Sequence, residues 1–157
     1  MSVEVSVTHG TGEGATALAA FDAALQVAGI HDYNLIHMSS IIPPGSRVCR
    51  ERLSPPDDHH GHRLYVVLAR RTVSEAGHEA SAGLAWAQRP DGRGLFVEGT
   101  GTGERGVREN LDASLTAITA RRGQDWGEPQ LETATVQCHE HPVCAVVAAV
   151  YDSEGWQ

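Results

Sequence analysis

Basic charge is scarce in this chain: 12 basic residues stand against 20 acidic ones, a formal net charge of −8 over 157 residues. Nucleic-acid binding needs a basic footprint to neutralise phosphates, so that balance argues against it. It argues equally against an anionic membrane surface, while a cationic ligand suits it. Long apolar runs are lacking as well. The longest, around Val143 to Tyr151, is far too short to span a bilayer. The opening "MSVEVSVTHG" has neither the basic start nor the apolar block of a signal peptide. Three cysteines (Cys49, Cys138 and Cys144) make an odd, sparse count for a secreted disulfide scaffold. A cytoplasmic location is therefore expected. No repeat and no dividing linker is visible, and the length suits one domain over 1–157. No G-x-S-x-G elbow offers a hydrolase nucleophile.

What is present reads as strands and two helices. Val3, Val5 and Val7 alternate with polar residues as in a half-buried strand. "THGTGEGAT" reads as a Gly-rich loop whose Thr16 caps a helix running to Ala28, with Gly29 as its stop. Tyr33 to Met38 is a second strand, and Ile42 to Arg63 has little period and reads as loop. "LYVVLARR" is a third strand; "EASAGLAWAQ" and "GLFVEGT" flank the turn signal Asp91-Gly92. Glu104 to Arg122 is a helix with Val107, Leu111, Leu115 and Ile118 on one stripe. "LETATVQ" and "VCAVVAAVY" close the chain as an expected antiparallel pair. Six or seven strands without βαβ alternation favour an α+β layered sandwich, mainly antiparallel, over a doubly wound sheet.

Several signals point elsewhere and are outweighed. "GTGERG", Gly101 to Gly106, matches a dinucleotide fingerprint between a strand and a helix, but too little chain follows to build the fold it needs. "DDHHGH" (57–62) and "CHEHPVC" (138–144) carry metal-ligating residue types, yet neither has the spacing of an established zinc module, so no metal is expected. Ser40 has His37 three residues before it, but in an extended strand the two point to opposite faces.

The stretch "NLIHMSSIIPPG" resembles the self-processing site of the pyruvoyl-dependent arginine decarboxylases, where an Asn-Leu-Ile strand leads into Ser-Ser-Ile-x-Pro-Pro. "GTGEGATALAAFDAALQVAGI" is similar to that family's Gly-rich segment and first helix, "GLFVEGTG" to its catalytic-glutamate strand, and "VCAVVAAVY" to its last strand. Similarity is weakest between Gly45 and Arg63, and the histidine-bearing loop has no counterpart.

The resemblance implies an αββα sandwich and a single chemistry. The Ser40 hydroxyl would attack the Ser39 carbonyl, and elimination would leave a β chain of 1–39 and an α chain of 40–157. The serine at position 40 would become a covalent pyruvoyl cofactor. The fold must hold that bond in a reactive geometry and stabilise an oxyanion, for which Asn34 is the candidate donor. Glu98 matches the acid that protonates the substrate's Cα, and a raised pKa by burial would suit it. Leu18, Asp22 and Leu25 fall at i, i+4 and i+7 on the first helix. A carboxylate between leucines suits a guanidinium on an aliphatic arm, which makes arginine the leading substrate and agmatine and carbon dioxide the products. Another basic amino acid (lysine, ornithine or a modified arginine) and an uncleaved, non-catalytic binding protein are the rival readings. A trimer or pair of trimers is implied.

Overall fold

The first strand runs well beyond the valines that announce it. In a computed structural model describing residues 3–156, β1 spans Glu4–Glu13, so the glycine-rich stretch expected as a loop is largely strand. Its glycines serve close approach. A Cβ on Gly10 would stand 2.4 Å from the Ala24 carbonyl oxygen, and one on Gly12 2.4 Å from the Ala24 nitrogen. The first helix, α1 (Ala17–Ala28), therefore lies directly on the backbone of β1, with Ala20, Ala24 and Ala28 buried in the seam. Thr16 caps it by accepting the Ala19 N–H at 3.1 Å, and Gly29 ends it at φ 80°.

The remaining strands are β2 (Asn34–His37), β3 (Ile41–Ile42), β4 (Arg47–Arg50), β5 (Arg63–Val73), β6 (Glu79–Gln88), β7 (Gly94–Gly101), β8 (Gln130–Gln137) and β9 (Val143–Glu154), with α2 over Glu104–Arg121. They form two sheets, ordered β2-β5-β9-β1-β4 and β3-β7-β6-β8. Among the described residues only β1–β4 and β2–β5 pair in parallel; the other strand pairs are antiparallel. Three apolar layers separate the elements. Ala20, Ala24 and Leu25 of α1 meet Val66, Val146 and Ala148 on one outer face. Val5, Val67 and Val147 meet Leu84, Trp86 and Phe96 between the sheets. Val107, Leu111 and Leu115 of α2 cover Ala85, Leu95 and Val97 on the other outer face. The result is the expected αββα sandwich.

Two further sequence expectations are corrected. β8 and β9 are not a pair: β8 joins β6, whereas β9 lies between β1 and β5 in the other sheet. The turn between them crosses the sandwich, and β9 takes the centre of its sheet, where both its faces are buried. The segment after Ile42 is not all loop either; Arg47–Arg50 adds β4 to the edge beside β1. Among the described residues no helix is long and apolar enough to cross a membrane.

Candidate active site

β2 is the outermost strand of one sheet and β3 the outermost strand of the other. Met38, Ser39 and Ser40 are the three residues that step between them. The Met38 N–H still bonds to the first sheet, donating to the Val66 carbonyl at 2.7 Å. Beyond the step, the Phe96 N–H donates to the Ser40 carbonyl at 2.8 Å, and the Tyr151 hydroxyl donates to the Ile41 carbonyl at 2.8 Å. The Ser39–Ser40 bond is thus suspended between anchors on either side. Ser40 itself has φ +76°, the left-handed region that serine occupies only at a cost. Strain of ~1–3 kcal/mol sits next to the bond expected to break. Pro43 and Pro44 then follow without N–H groups, so the short strand cannot extend its ladder.

This arrangement suits a pyruvoyl group derived from position 40. Phe96 N–H already holds the carbonyl that would be conjugated with the new ketone, and charge drawn onto that oxygen would meet a fixed donor.

A cleft opens beside the step for a topological reason. β2 pairs with β5 only over Arg63–Val66, while β5 continues to Val73 with that edge uncovered by β2. The cleft, ≈ 490 Å³, is lined there by Phe21, Leu35, His37, Leu68, Arg70 and Glu98, among others. Glu98 lies two residues beyond Phe96 on β7, ~7 Å along the strand and on the same face. Its side chain is exposed, so the single chain does not supply the burial expected for a proton donor.

The other expected residues are less closely gathered. Leu18 is 76% exposed, and the exposed Asp22 accepts from Gln26 Nε2 at 2.8 Å. Leu25, expected beside them, turns into the core under α1. Phe21, one residue from Asp22, is the α1 side chain that reaches the cleft. Asn34 stands at the far end of β2 from Ser40, ~10 Å along the strand from His37. Its side chain donates to the Gly61 carbonyl at 2.8 Å, so within one chain it does not reach the scissile bond.

Arg70 was not legible as a cleft-lining residue, although one signal marks it. Leu64, Val66 and Leu68 alternate on one face of β5, and Arg70 continues that apolar face with a charge. Its guanidinium carbon sits 4.4 Å above the Phe21 ring.

The motifs set aside have local roles. The loop at 57–62 is closed by Tyr33 Oη and His59 Nδ1 at 2.9 Å and by a His59–His62 stack. Cys138 faces the inter-sheet layer and Cys144 the layer under α1, so "CHEHPVC" does not converge on one point. The glycines of "GTGERG" lead into α2, where Glu104 accepts from Thr133 at 2.6 Å. That hydroxyl, with Arg108 second, holds the Glu104 carboxyl below its usual range.

Comparison of the sequence with known proteins places the chain in a family. The family model for pyruvoyl-dependent arginine decarboxylase matches residues 4–154. A pyruvoyl-dependent arginine decarboxylase of Halobacterium salinarum is 39% identical over 96% of this chain and 95% of its own length. One from Methanothermobacter thermautotrophicus is 33% identical over 95% of this chain and 96% of its own. Pyruvoyl-dependent arginine decarboxylase 2 of Archaeoglobus fulgidus is 31% identical over 94% and 95%. The chain belongs to the pyruvoyl-dependent arginine decarboxylase family.

Proposed function

We propose that this chain cleaves itself between Ser39 and Ser40, and then decarboxylates L-arginine to agmatine and carbon dioxide at the pyruvoyl group formed from Ser40. The observation that carries the reading is the strained Ser40, φ +76°, suspended between the two sheets in a chain of this family. When formed, the pyruvoyl group supplies a ketone that takes the substrate's α-amine and draws electrons as the carboxylate leaves. Every other part is played by side chains and backbone. Ser40 Oγ attacks the Ser39 carbonyl once. The Phe96 N–H steadies the carbonyl of residue 40. Glu98, lining the cleft, returns a proton to Cα. Asp22 takes the guanidinium bidentately, with Leu18 and Phe21 along the methylenes. All 12 basic side chains are arginines, so no lysine amine competes for the ketone.

The site is unfinished in one chain, and this supports a homotrimer or a dimer of trimers. Glu98, Asp22 and Leu18 are exposed, and Asn34 does not reach its own step. Ile36, Met38 and Ile41, at 37%, 39% and 53% exposure, spread apolar surface along the edge formed by β2 and β3. A neighbouring copy packed there would bury Glu98 and bring an Asn34 to the step from outside. A cytoplasmic location fits the three free thiols.

Intact-mass measurement of purified protein tests the reading first. Two fragments, 1–39 and 40–157, with the second blocked to Edman chemistry, are expected. A single uncleaved species after long incubation would point to the non-catalytic binding protein. Carbon dioxide release is then compared across arginine, lysine and ornithine. Brisk turnover of either of the others with none of arginine would overturn the substrate assignment.

A further inference from the structure

We infer that Arg70 is the anchor for the substrate's α-carboxylate, an assignment that rests on the amino-acid substrate proposed above. Arg70 lies on the stretch of β5 that β2 leaves uncovered, and it lines the same cleft as Glu98. Its guanidinium carbon lies over the Phe21 ring, 4.4 Å from the centroid. A cation–π contact consumes none of the guanidinium's N–H donors, so those turned away from the ring stay available for a planar anion. Among the described residues Arg70 has no ion-pair partner, although the chain holds 20 acidic side chains. A fixed, unpaired cation in a reaction cleft is open to a carboxylate.

A cation in a cleft meant for a cationic substrate needs an explanation, and orientation supplies it. Arginine carries its guanidinium at one end and its α-carboxylate at the other. Arg70 repels the first and attracts the second, while Asp22, on the helix that carries Phe21, does the reverse. The two charges of opposite sign admit the substrate in one direction, with its Cα toward Glu98. The carboxylate that Arg70 holds is also the group that the reaction removes. After carbon dioxide leaves, Arg70 faces a product with no anion and two cations, so agmatine is pushed out rather than held. The contact is kept until the C–C bond breaks, so the ground and transition states share it, and its loss falls on KM rather than on kcat.

The test compares two ligands that differ by the carboxylate. For the wild type, Arg70→Gln and Arg70→Lys, we would measure kcat and KM for L-arginine and the inhibition constant of agmatine. Intact mass reports cleavage in each sample. Arg70→Gln should raise the KM for arginine roughly 10- to 100-fold, the range for a charged hydrogen bond. Its kcat should stay within about threefold, and agmatine should inhibit equally well or better. Arg70→Lys should recover part of the KM. The assignment is overturned if KM does not move, if KM and the agmatine constant rise together, or if neither variant cleaves. A wild-type protein that forms no agmatine sinks the substrate reading and this inference with it. Agmatine formation by the wild type without the KM split sinks the inference alone.

Discussion

The seam between α1 and β1 and the edge formed by β2 and β3 are built on opposite rules. In the seam, small residues bring backbone against backbone: Gly10 and Gly12 face Ala20, Ala24 and Ala28, and β9 behind them is fully buried from Val143 to Ala149. At the edge, the chain leaves one sheet for the other, large apolar side chains are exposed, and Ser40 adopts a conformation serine avoids. Tight packing tolerates no change and does no chemistry. The loose edge can do chemistry because the rest of the molecule holds its ends in place. The strain at Ser40 persists because anchors on both sheets over-determine it.

That contrast predicts two kinds of failure. Gly12→Val should abolish folding rather than activity, since the new Cβ would stand 2.4 Å from the Ala24 nitrogen and 2.6 Å from the Ala20 oxygen. Backbone atoms cannot turn aside, and a cost above ~3 kcal/mol is a large part of a ~5–15 kcal/mol total. Circular dichroism melting would show it; a cooperative transition near that of the wild type would break the account of the seam. Ser40→Ala should do the converse and leave a folded, uncleaved, inactive chain, visible as one mass. Any cleavage at position 39 would remove Ser40 as the nucleophile. Glu98→Gln should cleave at nearly the normal rate yet lose about 10²–10⁴-fold in kcat, the range for a general acid. Normal turnover by that variant would move the proton donor elsewhere.

The contrast also explains what the sequence could and could not reveal. Sheet and helix composition follows from period: Val107, Leu111 and Leu115 announced α2, and the alternation at Val5 and Val7 announced β1. The extent of β1 did not follow, because glycine signals a turn locally and a close approach only when the opposing helix is known. The β8–β9 expectation failed for a related reason. Two strands joined by a short turn usually pair, and which sheet each strand joins is a property of the assembled sandwich. Within the site, Ser39, Ser40 and Glu98 were marked by local motifs; the serines end the step between the sheets, and Glu98 lines the cleft that His37 also lines. Leu25 was placed by helical spacing alone, which puts residues on one stripe but does not say which side of the stripe the core takes. Arg70 and Phe21 come together from β5 and α1, a pairing that no local pattern contains.

The smallest expected effect tests the link between the two regions. Tyr151 belongs to β9, in the packed half, yet its hydroxyl reaches the Ile41 carbonyl at the edge, and its ring meets Phe96 edge-on at 6.2 Å. Burial pushes its phenol up from the ordinary tyrosine range, so it stays protonated and donating throughout the working pH range. With the folded value raised, the stabilisation from the protonated phenol is complete below ~10 and is lost only as pH rises beyond it. Tyr151→Phe removes one neutral hydrogen bond, worth ~1 kcal/mol, while keeping the ring contact. If that bond helps hold position 40 in its strained form, self-cleavage should slow about fivefold, with little change in melting temperature and no dependence on pH between about 6 and 8. The half-time of the mass conversion from one species to two measures it. An unchanged half-time would mean that the edge is held by Phe96 and Val66 alone, and that the packed half shapes the reactive bond only through the sheets.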